Sequence, residues 1–340
     1  VESEKPRLLC AVDIGGTNIS MAIMDEKGQI ANVDTTETGQ FPEPKQFVEF
    51  LGKWVNRHLP RGKSVADLRG IGVAVPSVDR SGRLVAPANL PWGEVDLHAL
   101  ISQHFPCPVC ILNDANAVAL GEWRVGGARG MDDFIVVTLG TGVGAGIVAG
   151  GQLLLGNGGF AGEFGHVTVL PDGRRCNCGR FGCLEAYVSA NGIRRTALEC
   201  LIRFQMDTPL SQIPADRITP EIVSQLAEEK DPVAMEVFEI TGKILGAALA
   251  NLAVLFDPEA IILFGGITEA GDLLFTPLRR HFSEAVLPIH RSGVRLMASQ
   301  VPNGLAALHG ARTFVEFCLA GKGRSPRRFG FRLNDEVHAL

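Results

Sequence analysis

The chain is expected to form an α/β protein of two domains, on three observations. Short apolar runs alternate with longer amphipathic stretches, the pattern of strands interleaved with helices. A strand–glycine turn–strand unit occurs twice. At 340 residues the chain is long enough for two domains, each with a sizeable core. Hydrophobic residues make up 46% and charged residues 20%, the balance of an ordered globular protein. The net charge of −5 argues against a nucleic-acid partner, which calls for a basic stripe. The polar start VESEKPR lacks a signal-peptide core, and no apolar run reaches the ~18 residues of a membrane span. A cytoplasmic protein with no membrane partner is expected.

In chain order, Leu8–Val12 reads as a strand entering Asp13-Ile-Gly-Gly-Thr-Asn18 and leaving as Ile19–Met24. Glycines at 15 and 16 let main-chain amides face an anion, Thr17 adds a hydroxyl, and Asp13 is placed to hold Mg²⁺ through water. An ordinary tight hairpin explains this turn equally well. Phe47–His58 has the apolar spacing of an amphipathic helix, and Ile71–Val75 is a buried strand stopped by Pro76. Asn89-Leu-Pro-Trp92 reads as a rigid rim for a polar ligand. Val109–Leu112 is a strand followed at once by Asn113-Asp114 and an alanine-rich helix over Ala115–Trp123. An aspartate there either caps the helix or stands as a carboxylate beyond the carboxyl ends of the strands, where open α/β sheets bind ligands.

The opening pattern then returns. Phe134–Thr138 is a strand, Leu139–Gly146 a glycine turn containing Thr141 and Gly142, and Ile147–Ala149 a strand. No helix follows directly, which disfavours a dinucleotide fold; two such hairpins suit a polyphosphate gripped from both sides. Ala186–Leu201 reads as helical, residues 205–220 as a polar excursion, and Pro232–Leu255 as a long helix with closely packing alanines. Ala260–Phe264 is a strand ending in Gly265-Gly266, a third glycine turn that admits a flat group such as an adenine ring. Gly304–Phe317 is a closing helix, and the basic tail 321–340 a surface extension.

The stretch Gly158–Glu185 concentrates His166, Cys176, Cys178 and Cys183, with Glu163 and Glu185 at its edges. Three thiolates and an imidazole suit tetrahedral Zn²⁺; four protein donors leave no position for an activated water, so the metal is expected to be structural. The other five cysteines, Cys10, Cys107, Cys110, Cys200 and Cys318, have no disulfide-framework spacing, which fits a reducing compartment. Cys107-Pro-Val-Cys110 is formally a C-x-x-C pair, but its apolar continuation reads as a buried strand.

The ordered series DIGGTN, NDANA, LGTGVGAGI, GEFGH, CNCGRFGCLE and LFGGI, over about residues 8–317, resembles the ROK family of sugar kinases within the actin-like/hexokinase superfamily. The resemblance implies two ribonuclease-H-like α/β domains with an interdomain cleft and a zinc-stapled loop. A small domain, 1–115, would be completed by helix 304–317; 116–303 would form the large domain and much of a homodimer interface, with a tetramer as the alternative. By position, Asp114 would be the base facing the sugar 6-hydroxyl. Asn89, Asn113, Glu163, His166 and Glu185 would be sugar contacts, His166 also being a zinc ligand through its other ring nitrogen. Asp13, Gly15, Gly16, Thr17, Thr141 and Gly142 would grip the ATP phosphates and Mg²⁺, with Gly265 and Gly266 beside the adenosine.

The implied reaction is ATP-dependent phosphorylation of a hexose, glucose to glucose 6-phosphate at the head of glycolysis. Kinases for N-acetylmannosamine, N-acetylglucosamine, allose or fructose, and polyphosphate as donor, stay open. The alternative of a different class is a sugar-sensing ROK transcriptional regulator. Such proteins carry a helix-turn-helix ahead of the sugar domain, and only twelve residues precede Asp13, so a kinase is expected.

Overall fold

The computed structural model describes residues 8–320 apart from Ala86, Ala88, Asn89 and Asn303; Asn89 and the basic tail therefore lie outside the described residues. The chain runs β1 (Leu8–Ile14), β2 (Asn18–Met24), β3 (Ile30–Glu37), α1 (Pro44–His58), β4 (Leu68–Ala74), β5 (Arg83–Leu84), β6 (Val95–Asp96), α2 (Leu97–His104), β7 (Val109–Leu112) and α3 (Asp114–Val125). It continues as β8 (Phe134–Leu139), β9 (Val143–Ala149), β10 (Gln152–Leu153), α4 (Glu185–Val188), α5 (Ala190–Phe204), α6 (Pro220–Glu228) and α7 (Pro232–Phe256). It ends as β11 (Ala260–Phe264), α8 (Asp272–Ala285), β12 (Arg295–Ala298) and α9 (Leu305–Ala320). Contacts divide the described residues into two compact units, one of 8–130, 146–161 and 300–320, the other of 131–145 and 162–299.

In the first unit the strand order is β3-β2-β1-β4-β7. β1 pairs antiparallel with β2 and parallel with β4, which pairs parallel with β7, aligning Asp13 with Ala74 and Ala74 with Leu112. α1 starts at Pro44 behind a capping box of Glu43 and Gln46, and buries Phe47, Leu51, Trp54 and Val55. Trp92 belongs to this core rather than to a ligand rim. It is buried against Phe47 and donates its indole N–H to the Phe41 carbonyl at 2.7 Å. The whole apolar ring is covered once that single polar atom is satisfied.

The fully buried Arg312 of α9 donates to the Asp25 and Glu26 carbonyls and, at 2.8 Å, to Glu316. The turn after β2 is thereby tied to the closing helix. A buried guanidinium is tolerated because carbonyls and a carboxylate replace its water.

The second sheet has the order β10-β9-β8-β11-β12, with β8, β11 and β12 parallel. Its glycine turn is shorter than the run of glycines suggests, since β9 already begins at Val143. The helix expected over 186–201 is two helices broken at Ser189, whose side chain caps α5 by accepting from the Gly192 amide. Residues 205–220 are not a free excursion: Leu210 and Ile218 are buried, and the Leu210 amide donates to the buried Asp231 at 3.0 Å. α7 is long and apolar enough to cross a membrane by length and composition, contrary to the count of apolar runs. Most of its apolar residues, among them Val237, Phe238, Leu245 and Leu249, are buried, as in the central helix of a packed unit, while Met235, Val254 and Leu255 face outward.

Candidate active site

Asp13 sits at the end of β1, fixed by its pairing to Ser20 on one side and Ala74 on the other. The following turn closes by a Gly15 amide bond to the Asn18 carbonyl at 2.9 Å. Buried Thr38 braces it, donating its hydroxyl to the Gly15 carbonyl at 2.7 Å and its amide to the Thr17 carbonyl at 2.8 Å. Gly16 and Thr17 are left exposed at the tip.

β7 ends directly at Asn113, and Asn113, not Asp114, caps α3: its side-chain oxygen accepts from the Asn116 amide at 3.2 Å. Asp114 is therefore the first helical residue and is relieved of capping, although one carboxylate oxygen accepts from the Ala115 amide at 2.8 Å. Asp13 and Asp114 stand at the carboxyl ends of strands two places apart, which puts them on the order of 10 Å from one another. Burial first, and then the charge of Asp114, push the Asp13 carboxyl up to about 7. Burial also raises Asp114, opposed by the Ala115 amide and the Asn113 side chain. Burial thus holds both carboxyls toward the neutral form, an environment that favours a proton or a nearby cation.

In the second unit, Thr141 and Gly142 lie in the turn between β8 and β9, closed by a Gly140 amide bond to the Gly142 carbonyl at 3.0 Å. The Val143 amide donates to Glu185 Oε2 at 3.0 Å, so one oxygen of Glu185 ties α4 to that turn. Glu163 precedes and His166 ends a short 3₁₀ turn, Phe164–His166. It is pressed against β9: Gly162 has a positive φ of 91°, and a Cβ there would collide with the Ala145 carbonyl. Gly265 follows β11 with φ 114°, packed on the Leu139 backbone, and Gly266 opens a 3₁₀ turn.

The four expected metal ligands converge, with donor atoms of His166, Cys176, Cys178 and Cys183 all within 4.8 Å of one another. Zn–S bonds of about 2.3 Å in a tetrahedron put neighbouring sulfurs about 3.8 Å apart. The Cys178–Cys183 sulfurs are 3.7 Å apart, and Cys176 Sγ lies 3.8 Å from His166 Nδ1. These residues fit a tetrahedral soft metal, with Nε2 of His166 left for another partner.

Sequence reasoning missed the residues that hold this loop. Arg174 donates to Glu199 at 2.6 and 2.9 Å, to the carbonyls of Ala186 and Gly192, and to Thr196, and it lies over the Tyr187 ring. Tyr187 accepts from the Arg174 amide at 2.7 Å, while Arg180 reaches the His166 carbonyl at 3.1 Å. The unusual presence of a single tyrosine in the chain was the available signal. Cys110 is in β7, and burial pushes the Cys107 thiol up to about 11, so the C-x-x-C pair lacks the thiolate that redox exchange needs.

The ROK family matches residues 9–316. A glucokinase of Halalkalibacterium halodurans is 36% identical over 321 residues, 89% of this chain and 94% of that one. A xylose repressor of Bacillus spizizenii is 28% identical over 321 residues, 94% of this chain and 80% of that one. Among solved structures, a ROK family glucokinase from Streptomyces griseus in complex with glucose and AMPPNP has a TM-score of 0.74 and 34% identity. That similarity covers 89% of this chain and 97% of that one. The α/β fold, the ordered motifs and these similarities agree, and the chain belongs to the ROK family.

Proposed function

We propose that the protein is a cytoplasmic, ATP-dependent hexose kinase that transfers a phosphoryl group to the sugar 6-hydroxyl, with glucose as the substrate. The observation that carries this reading is the placement of Asp114: part-buried at the end of a parallel strand, with Asn113 taking over the helix cap. Kinship with glucokinases supports the choice of reaction and sugar. Burial raises the Asp114 carboxyl, but a carboxylate remains far too weak a base to ionise a sugar hydroxyl beforehand. In a loose transition state little bond formation precedes proton loss, so Asp114 orients the hydroxyl and takes its proton late. Asn113 steadies Asp114 and offers its amide to a neighbouring hydroxyl. Glu163, His166, Glu185 and Asn89 hold the remaining hydroxyls.

Gly15, Gly16, Thr17, Thr141 and Gly142 orient the phosphates by backbone and hydroxyl donors, and Gly265 and Gly266 leave room for adenosine. Asp13 would hold Mg²⁺ through water, and that ion supplies neutralisation of phosphate charge. Zn²⁺ held by His166, Cys176, Cys178 and Cys183 would fix the orientation of the His166 ring. Exposed Ile202, Leu255 and Ile289 in the second unit supply apolar surface for a homodimer, which light scattering would detect.

Coupled ADP release over glucose, N-acetylmannosamine, N-acetylglucosamine, allose and fructose tests the reading. The greatest kcat/KM is expected with glucose, and no ADP above the sugar-free rate with any of them would refute it. The xylose repressor relative gives a second reading, a regulator without kinase activity, which a DNA-shift assay with and without sugar would reveal.

A further inference from the structure

One polar side chain of the first unit has no task in the reading above. Asn116, in the first turn of α3, is 1% exposed, and neither its Oδ1 nor its Nδ2 has a partner among the described residues. Its backbone amide donates to the Asn113 side-chain oxygen at 3.2 Å. A buried carboxamide with nothing to bond costs more than the hydrogen bonds it forgoes, and alanine at this position would favour the helix more. The side chain lines a cavity of about 30 Å³, walled by Val78, Ile111, Leu155 and Phe314 and bordered by Asn113. That is room for a water-sized group.

The charged residues at the cavity edge are engaged elsewhere. Asp79 Oδ1 accepts from the Ser81 and Arg83 amides at 2.8 and 3.0 Å and from the Ser81 hydroxyl at 2.7 Å. Arg80 donates to the Gly156 carbonyl. Apolar walls without a free charge call for an uncharged occupant. A carboxamide with both its acceptor and its donor unpaired calls for a group that donates and accepts, which a hydroxyl does.

We propose that this cavity is a subsite for one uncharged hydroxyl-bearing group, bound by the Asn116 carboxamide beside Asn113, and that the bound group stiffens the turn carrying Asp114. The occupant is either a trapped water or a hydroxyl of the substrate. Asn116 is thus a positioning residue, and only this second part of the inference rests on the sugar-kinase reading.

High-resolution crystals of the wild-type protein, grown without and with glucose, test the subsite directly. Density within hydrogen-bond distance of both Asn116 atoms is expected, in both crystals if it is water and only with glucose if it is a sugar hydroxyl. An empty cavity in both overturns the proposal. Kinetics of Asn116→Leu form the second arm, with a loss of about tenfold in kcat/KM expected, the weight of one hydrogen bond. If water is the occupant, kcat falls equally for glucose and its monodeoxy analogues. If a sugar hydroxyl is, KM rises for glucose and one deoxy analogue no longer lags behind it. Asn116→Ser, which keeps one hydroxyl, should recover part of the loss and serves if the leucine variant does not fold. A folded leucine variant with unchanged kcat and KM for every sugar overturns the positioning role. Should the wild type phosphorylate no hexose, the kinase reading fails, while the crystals still decide the subsite.

Discussion

At the scale of single residues, Asp13 and Asp114 are two carboxyls that burial raises at the strand ends of the first unit. Carboxyl-resolved NMR titration of the sugar-free protein should find Asp13 titrating near pH 7, and Asp114→Asn should lower that value while leaving the contribution of burial. An unchanged Asp13 titration would show that the two carboxylates do not interact. The raised folded-state value also fixes the sign of a stability effect. Folding favours the protonated carboxyl, so its stabilisation is fully present below about pH 4 and lost as pH rises through about 7. Asp13→Asn should therefore melt a few °C above the wild type at pH 8, a gain that vanishes near pH 4. Melting curves at the two pH values check this, and a gain of equal size at both would contradict it. Asn113→Ala removes the cap of α3 and should cost about 1 kcal/mol in denaturant unfolding. The sequence left open whether Asp114 caps the helix or stands as a carboxylate at the strand end, and did not single out Asn113 as the cap. Two adjacent residues that both cap well cannot be ranked by propensity; the backbone settles it by giving Asn113 extended angles and Asp114 helical ones.

At the scale of elements, the candidate metal loop is a short segment without regular strands, in which four candidate ligands converge and Arg174 makes the main side-chain ties. Stripping the metal with a chelator should lower the melting temperature and raise the KM for sugar, and zinc should restore both; a stripped protein with unchanged sugar KM would contradict the role given to His166. Arg174→Met keeps the apolar stem but loses five side-chain hydrogen bonds, and should destabilise by about 1–3 kcal/mol in urea unfolding. A change within error would show that solvent replaces those bonds freely. The candidate ligand set was legible because its two residue types, cysteine and histidine, are rare in the chain and crowded here. Arg174 was not, since an arginine next to another arginine reads as solvated charge. Its partners Ala186, Gly192, Thr196 and Glu199 lie on α4 and α5, either side of a helix break that the sequence reading did not anticipate. The 205–220 segment misled for a related reason: its polar composition hides Leu210 and Ile218, whose burial depends on contacts distant in sequence.

For the whole molecule, the repeated hairpin visible in the sequence is the trace of a larger repetition. In order, β3-β2-β1-β4-β7 and β10-β9-β8-β11-β12 each place a hairpin at one edge and two parallel strands at the other. Two hairpins revealed it because glycines at turns leave a pattern, whereas the equivalence of β4 and β7 with β11 and β12 lies in connectivity and leaves none. The same fold serves proteins named glucokinases and xylose repressors, so fold alone does not choose between catalysis and regulation. The choice rests on Asp114. Initial rates of phosphoryl transfer from ATP to glucose, measured side by side for the wild type and Asp114→Asn, test it most directly. The account predicts a kcat lower by ~10²–10⁴-fold in the variant with the glucose KM little changed. Near-normal turnover in the variant would contradict it.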